Sequence, residues 1–237
     1  MFNDLARYYD LFYKTKDYDS EVQFLNEAFI QFKVKSVLDI ACGTGEHLVR
    51  LDNLAYQVEG MDASGEMIDI ANKKLFCPIS IGRMENFRSP KKYDAIISMF
   101  NSIGYSSNLS LIIKNVYNHL NDGGIFIFDF WNKPSAKQFF EPYKEKTCEG
   151  VRRISHTKLL SEDTLEVEFT IYKLNDGGID WSQNPITEVH RINIYDPRDM
   201  RMNLELEGFG VEMFPFMKPE SLVTSHDWSV QCLAQKS

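Results

Sequence analysis

Cysteine is scarce in this chain of 237 residues, and Cys42, Cys77, Cys148 and Cys232 lie far apart. None has the close partner that a zinc site needs, and a chain of this length has no need of a disulfide framework, so they read as small buried apolar side chains. Basic clusters are scarce too. Lys73-Lys74, Lys91-Lys92 and Arg152-Arg153 are short pairs, and the net charge is −8, which argues against a surface for nucleic acid. Nowhere do about 18 apolar residues run together, as a membrane-spanning helix requires. The start, Met1-Phe2-Asn3-Asp4-Leu5-Ala6-Arg7, has no basic stretch leading into an apolar one. These absences lead to the expectation of a cytoplasmic protein that contacts neither membrane nor nucleic acid. Internal repeats and polar linkers are also missing, so any second lobe must be an insertion in one domain, 1–237.

What is present is a sharply punctuated segment, Val37-Leu38-Asp39-Ile40-Ala41-Cys42-Gly43-Thr44-Gly45-Glu46-His47. It reads as a strand, a glycine turn and a helix start, an arrangement that lets the backbone approach a ligand and aims exposed N–H groups at it. A glycine pair alone marks many ordinary turns; the acid ahead of it, Asp39, adds specificity. A second strand pattern, Val58-Glu59-Gly60-Met61-Asp62-Ala63-Ser64, ends in another acid at about the distance at which dinucleotide enzymes hold a ribose. The dinucleotide fingerprint, however, wants a third small residue three places after the second glycine, and Leu48 stands there.

Asp39, Ala41, Gly43 and Gly45 resemble the first motif of class I S-adenosylmethionine-dependent methyltransferases, and the resemblance gives Asp62 the role of binding both ribose hydroxyls. It implies a Rossmann-like α/β fold with a mostly parallel seven-stranded sheet and S-adenosyl-L-methionine as cofactor. The implied cofactor-binding set is Asp39, Ala41, Cys42, Gly43, Gly45, His47, Asp62, Ala63, Met67, Met84, Glu85 and Met99, joined by Tyr13 and Tyr18 of an aromatic lid at 1–20. Related enzymes usually place Gly-Asp after the third strand, the acid accepting from the adenine amino group. This chain has Gly82-Arg83-Met84-Glu85, and a guanidinium accepts no hydrogen bond; Met84 can pack on the ring and offer its backbone N–H, and Glu85 either replaces the missing acceptor or is a solvated surface acid.

Periodicity carries the remaining organisation. A helix is predicted from Ser20 to Phe32 behind a Ser20 cap, and others around 46–55, 65–75 and 109–120. Strands are predicted at 36–40, 57–61, 79–82, 93–100 and 124–130, the last after a turn at Asn121-Asp122-Gly123-Gly124. Alternation of strand and helix implies parallel pairing. Three strand-like runs then follow without helices, 152–160, 164–174 and 186–195, and predict an inserted antiparallel lobe over 148–196. A helix near 196–207 and strands near 211–216 and 228–234 complete the reading.

A closer resemblance rests on motifs in order: Tyr9-Asp10-Leu11, Lys16-Asp17-Tyr18, Ala41-Cys42-Gly43-Thr44-Gly45, Met99-Phe100-Asn101-Ser102-Ile103-Gly104, Ile154-Ser155-His156 and His190-Arg191-Ile192. They are similar to those of nucleotide-linked amino-sugar N,N-dimethyltransferases, a typically homodimeric family. Two positions depart from that family: Tyr105 stands where a histidine is expected, and Phe130-Trp131-Asn132 keeps only part of a double tryptophan. The resemblance implies N-methylation of a small amine, with Tyr9, Tyr105, His156 and His190 as catalytic candidates. Asn101, Ser102, Trp131, Arg153 and Arg191 are the candidate substrate contacts. O-methylation of a sugar, a non-catalytic cofactor-binding partner and, less favoured because of Leu48, an NAD-dependent oxidoreductase stay open at this point.

Overall fold

A computed structural model describes residues 4–237. The chain begins with α1 (Ala6–Tyr13) and α2 (Tyr18–Gln31), then alternates: β1 (Ser36–Asp39), α3 (Glu46–Asn53), β2 (Gln57–Asp62), α4 (Gly65–Ala71), β3 (Ile79–Ile81), β4 (Tyr93–Ser98), a 3₁₀ turn (Ser102–Tyr105), α5 (Leu109–His119) and β5 (Leu120–Trp131). After α6 (Lys133–Phe139) come β6 (Tyr143–Cys148), β7 (Val151–Ser161), β8 (Thr164–Asn175), β9 (Gly178–Ile179) and β10 (Ile186–Asn193). The chain closes with α7 (Pro197–Glu207), β11 (Phe209–Pro215) and β12 (Ser229–Lys236).

The main sheet has the order β11-β12-β5-β4-β1-β2-β3. Its five strands from β5 to β3 are parallel, whereas β12 runs antiparallel to both of its neighbours, β5 and β11. Strand order reverses between β1 and β4, where chain direction opens a crevice at the carboxyl ends of the strands. The runs at β4 and β5 are almost wholly apolar because both sheet faces are covered. Ile96, Phe126 and Phe128 pack on one side with Val116 and Leu204, while Ala95, Ile97, Ile125 and Ile127 pack on the other with Leu25, Leu51 and Ala71. The seven-stranded sheet with its flanking helices and second, antiparallel sheet is the class I architecture expected from the motifs.

Three local readings need correction. The cap of α2 is Asp17, whose carboxylate accepts the Ser20 N–H at 3.0 Å, so the helix starts earlier than a Ser20 cap implies. The Asn121–Gly124 stretch is not a free turn: β5 already starts at Leu120, and the ladder steps from Tyr93↔Leu120 to Ala95↔Ile125, the extra residues bulging out. Gly123, at φ +78, supplies the left-handed backbone the bulge needs. The second sheet has five strands, β10-β8-β7-β6 with β9 on β8, and so begins at Tyr143, ahead of the expected 148.

Helix α5 is capped by Asn108, whose Oδ1 accepts the Leu111 N–H at 3.1 Å. Replacing Asn108 with alanine is expected to lower unfolding free energy by about 1 kcal/mol, read as a shift in urea midpoint at unchanged slope.

Candidate active site

The glycine turn and the second acid meet at the crevice. Gly43 and Gly45 take positive φ of +53 and +85. A Cβ on Gly45 would lie 2.6 Å from Leu75 Cδ1, so this glycine also allows the turn to pack against the chain after α4. The Asp62 carboxylate, at the end of β2, accepts the N–H of Gly43 at 3.0 Å and of Ser64 at 2.8 Å. Burial pushes its pKa up, and those backbone donors pull against the shift. Asp39 has a different place from its neighbours: it is buried beneath the turn, accepts the Ala41 N–H at 3.1 Å, and is pushed up to about 7 by burial. It braces the cradle without lining it.

The cavity above the turn spans about 630 Å³, part of it open to solvent, and is lined by Tyr9, Ile40, Ala41, Gly43, Asp62, Ala63, Met67, Gly82, Arg83, Met84, Glu85, Ser102, Tyr105 and Ser106. A second compartment of about 330 Å³ shares Tyr9, Ala41, Gly43 and Ser102 with it, and adds Tyr18, Cys42, Thr44, Glu46, His47, Met99 and Phe100. Glu85 is held at the wall by the Ser106 hydroxyl, which donates to it at 2.7 Å, and by Arg83 at 3.5 Å. The departure at Arg83 therefore places a cation beside Glu85.

Helix α1 lies across these compartments, fastened at Asp10, which accepts from the Thr44 hydroxyl at 2.6 Å and from Lys74 at 2.5 Å. Behind it, Lys16 sits 4.1 Å from the Tyr18 ring centroid and 4.9 Å from that of Phe100. Buried Glu21 takes a contact from Lys16 and another from His47 Nε2 at 2.8 Å. Burial keeps His47 below the ordinary imidazole value, so Lys16 supplies the charge and neutral His47 the N–H.

Phe100 and Asn101 both adopt left-handed φ, +65 and +56, a strain of roughly 1–3 kcal/mol each that surrounding bonds must hold. Asp129 does so: it accepts the Asn101 N–H at 3.0 Å and the Ser229 hydroxyl at 3.1 Å. Phe100 is thereby aimed edge-on at Tyr13, ring centroids 5.0 Å apart, and Tyr13 packs at 4.6 Å from Tyr9. Asn101 itself is buried with its Oδ1 accepting the Trp131 N–H at 3.0 Å, so it belongs to the framework and is withdrawn as a substrate contact.

Strand register sorts the residues of the second sheet. Paired residues in antiparallel strands share a face, and His190↔Val167↔Thr157 puts His190 on the inner face. Its Nδ1 meets the Tyr105 hydroxyl at 2.9 Å. His156↔Glu168↔Val189 lies on the outer face, where exposed His156 packs against Tyr143. Arg191 is likewise outside, paired to Glu166 at 3.3 Å with Lys158 beside it at 2.8 Å. The structure thus separates His156 and Arg191 from the cavity, correcting their expected roles.

Arg153 is on the inner face. Its guanidinium lies 4.8, 5.4 and 5.3 Å from the ring centroids of Phe12, Tyr13 and Phe169, and among the described residues no carboxylate is within 4.0 Å. It borders a groove of about 1320 Å³ with Trp131, Trp228, Phe140, Lys144, Lys146, Ser155 and Thr157. A smaller pocket shares Tyr13, Arg153 and Phe169 with the groove and Tyr9 with the cavity above the turn.

A strand-end acid beside a glycine turn, a thioether- and aromatic-walled cavity and a reversed closing hairpin define a class I S-adenosylmethionine-dependent methyltransferase. The residues present suit that cofactor: Asp62 would hold the ribose, Met67 and Met84 the adenine, and the compartment of Tyr18, His47 and Met99 the methionine portion. The sequence matches a family described as a methyltransferase domain over residues 9–211, and the chain belongs to it. Among its relatives is the dTDP-3-amino-3,4,6-trideoxy-alpha-D-glucopyranose N,N-dimethyltransferase of Streptomyces venezuelae, 29% identical over 88% of this chain and 91% of that protein. The crystal structure of Streptomyces venezuelae DesVI superposes with a TM-score of 0.78 at 25% identity, covering 100% of both chains. A methyltransferase structure from Clostridium acetobutylicum matches in fold, with a TM-score of 0.85 at 20% identity over 99% of this chain and 98% of that one.

From the sequence alone no role falls to Asp10, Asp129 or the groove cations Lys144 and Lys146. Asp10 sat inside a quoted motif and had a signal; the others depend on pairings distant in sequence.

Proposed function

We propose that this enzyme transfers methyl groups to the amino group of a nucleotide-linked deoxysugar, as its relatives' names describe for those proteins. The observation that carries the reading is Arg153. A cation surrounded by three rings, with a buried Nε that has no hydrogen-bond partner, is costly until an anion arrives. A diphosphate in the groove supplies that anion, Lys144 and Lys146 add charge along the same wall, and Trp131 and Trp228 offer faces for a base. The sugar is then directed past Arg153 and Tyr13 at Tyr9 and Tyr105.

Bound in the cavity, the sulfonium cofactor supplies an electrophilic methyl, whose C–S bond breaks as the nitrogen lone pair forms the C–N bond. Tyr9, half-buried and held neutral by a pKa that desolvation raises, and Tyr105 orient the nitrogen beneath α1. The ring faces of Tyr13, Tyr18 and Phe100 make the surroundings favourable to a cation. We also read the enzyme as a cytoplasmic homodimer working on small molecules. Among the described residues no helix is long and apolar enough to cross a membrane, and the acidic charge of −8 suits neither nucleic acid nor an anionic lipid surface.

Radiolabelled methyl transfer to three acceptors tests this: a dTDP-linked amino deoxysugar, the same sugar without nucleotide, and its hydroxyl analogue. Transfer to the nitrogen of the first is expected; transfer only to the hydroxyl analogue, or to none, overturns it. Arg153→Ala should raise KM for the nucleotide-linked acceptor by about 10- to 100-fold, the scale of one lost charged hydrogen bond, with the KM for cofactor unchanged.

A further inference from the structure

The Tyr105 hydroxyl is the first of three linked groups drawn from separate parts of the fold. It lies 2.9 Å from His190 Nδ1, on β10; His190 Nε2 lies 3.2 Å from Glu188 Oε2; and Glu188 Oε1 accepts the Leu5 N–H at 3.0 Å, just ahead of α1. His190 is only 2% exposed, its ring edge-on to Phe169 and to Tyr105 at 5.1 and 5.6 Å. Tyr105 lines the cofactor cavity, so the line of hydrogen bonds runs from the reaction space to the root of the helix that covers it.

This line has a direction. A neutral imidazole carries one donor and one acceptor nitrogen, and a carboxylate only accepts. Glu188 therefore fixes Nε2 as the donor and Nδ1 as the acceptor, aimed at the Tyr105 O–H. Burial lowers the His190 pKa, opposed by Glu188, and keeps it neutral at rest; burial raises that of Tyr105, helped by Tyr13, Glu188 and Asp62. Among the described residues, Tyr105 and Glu188 are the titratable groups that face His190, and Tyr9, Tyr13 and Asp62 act on its partner Tyr105.

We propose that Glu188 is a positioning residue which polarises a Tyr105–His190–Glu188 relay for removing the proton from the acceptor's ammonium group. This rests on the acceptor being an amine. The ammonium N–H bond breaks and its proton bonds to the Tyr105 oxygen, as the Tyr105 proton moves to His190 Nδ1. The nitrogen keeps the electron pair it needs for attack, and the imidazolium formed is stabilised by the Glu188 carboxylate. A dimethylation would use the relay once per methyl, because each transfer begins from a protonated nitrogen.

Glu188→Gln tests the relay with little change in shape. One amide oxygen can still accept from Leu5, which turns the NH₂ toward His190 Nε2 and favours the opposite tautomer. Single-turnover rates at saturating cofactor should fall by about 10- to 100-fold at pH 7, the lower part of the range for general base catalysis. The deficit should shrink toward unity above about pH 9.5, where an aliphatic ammonium loses its proton without help. Glu188→Asp should recover part of the neutral-pH rate, and Tyr105→Phe should show the same pH-dependent deficit. Nitrogen NMR of histidine-labelled protein, assigned with His190→Gln, should show protonated Nε2 in the parent and protonated Nδ1 in Glu188→Gln. A deficit constant across pH, or an unchanged tautomer, overturns the relay. If the parent methylates no amine, the proposed function fails, and the NMR result still decides whether Glu188 sets the tautomer.

Discussion

Asp62→Ala is expected to weaken binding of S-adenosylmethionine and S-adenosylhomocysteine by about 100-fold or more and to leave the fold intact. The carboxylate has about four acceptor sites, and the Gly43 and Ser64 N–H groups use one on each oxygen. The rest are available to a pair of ribose hydroxyls at the cavity floor, where Asp62 is a lining residue. Charge-assisted hydrogen bonds contribute about 1.5–3 kcal/mol each, so losing two gives 100-fold even after partial replacement by water. Stability should change modestly, because burial already opposes ionisation of Asp62 and the released Gly43 N–H borders the cavity, where water can reach it, while only the Ser64 N–H is left buried. Calorimetric titration with S-adenosylhomocysteine, beside a thermal melt, checks both halves. A dissociation constant within threefold of the parent would remove Asp62 from ribose binding.

The cradle was legible because its parts are local. An apolar run, an acid and two glycines within a few residues encode strand, brace and turn together, and Asp62 ends the very next strand. The second sheet was less so. A one-residue change in register moves a side chain to the other face, so the motifs containing His156, His190 and Arg191 look alike in sequence and separate only once β8 pairs β7 and β10. Strand β6, Tyr143-Lys144-Glu145-Lys146-Thr147-Cys148, is mostly exposed and has no apolar alternation to announce it. Nothing in the local sequence around Glu188 sets it apart from a solvated acid on a strand of alternating exposure. Asn101 stood out in a motif, but its left-handed backbone and its bond to Trp131 depend on β5, nearly thirty residues on.

Asp129→Asn should make the protein more stable at pH 8, should keep about half of that advantage at pH 5 and should lose it below about pH 4. Asp129 is buried, its Oδ1 has no hydrogen-bond partner, and burial pushes its pKa from 3.8 up to about 6. A raised carboxyl pKa means that the folded state binds a proton more tightly than the unfolded chain does. The favourable contribution is therefore complete below the unfolded value near 4 and disappears as pH rises through about 6. At pH 8 the ionised group carries a penalty of up to about 3 kcal/mol, two pKa units at about 1.4 each. Asparagine has the same shape and no charge. Its oxygen can still accept from Asn101 and Ser229, and its NH₂ can take the place of Oδ1 as a donor toward Gln231, the residue directly across the ladder, whose Oε1 is buried and also lacks a partner. Recovering about 1–3 kcal/mol corresponds to a rise in melting temperature of roughly 2–10 °C for a domain of this size. At pH 5 the carboxyl is already neutral in the folded protein but still ionised in the unfolded chain, so about half of the advantage remains, and the two proteins should melt together only below about pH 4. Asp129→Ala is the contrasting case: with no acceptor for the Asn101 N–H, nothing offsets the strain at Phe100 and Asn101, and the melt should fall at both pH values. If Asp129→Asn falls equally at both, the charge is required to hold that turn, and the raised pKa does not describe a cost to folding.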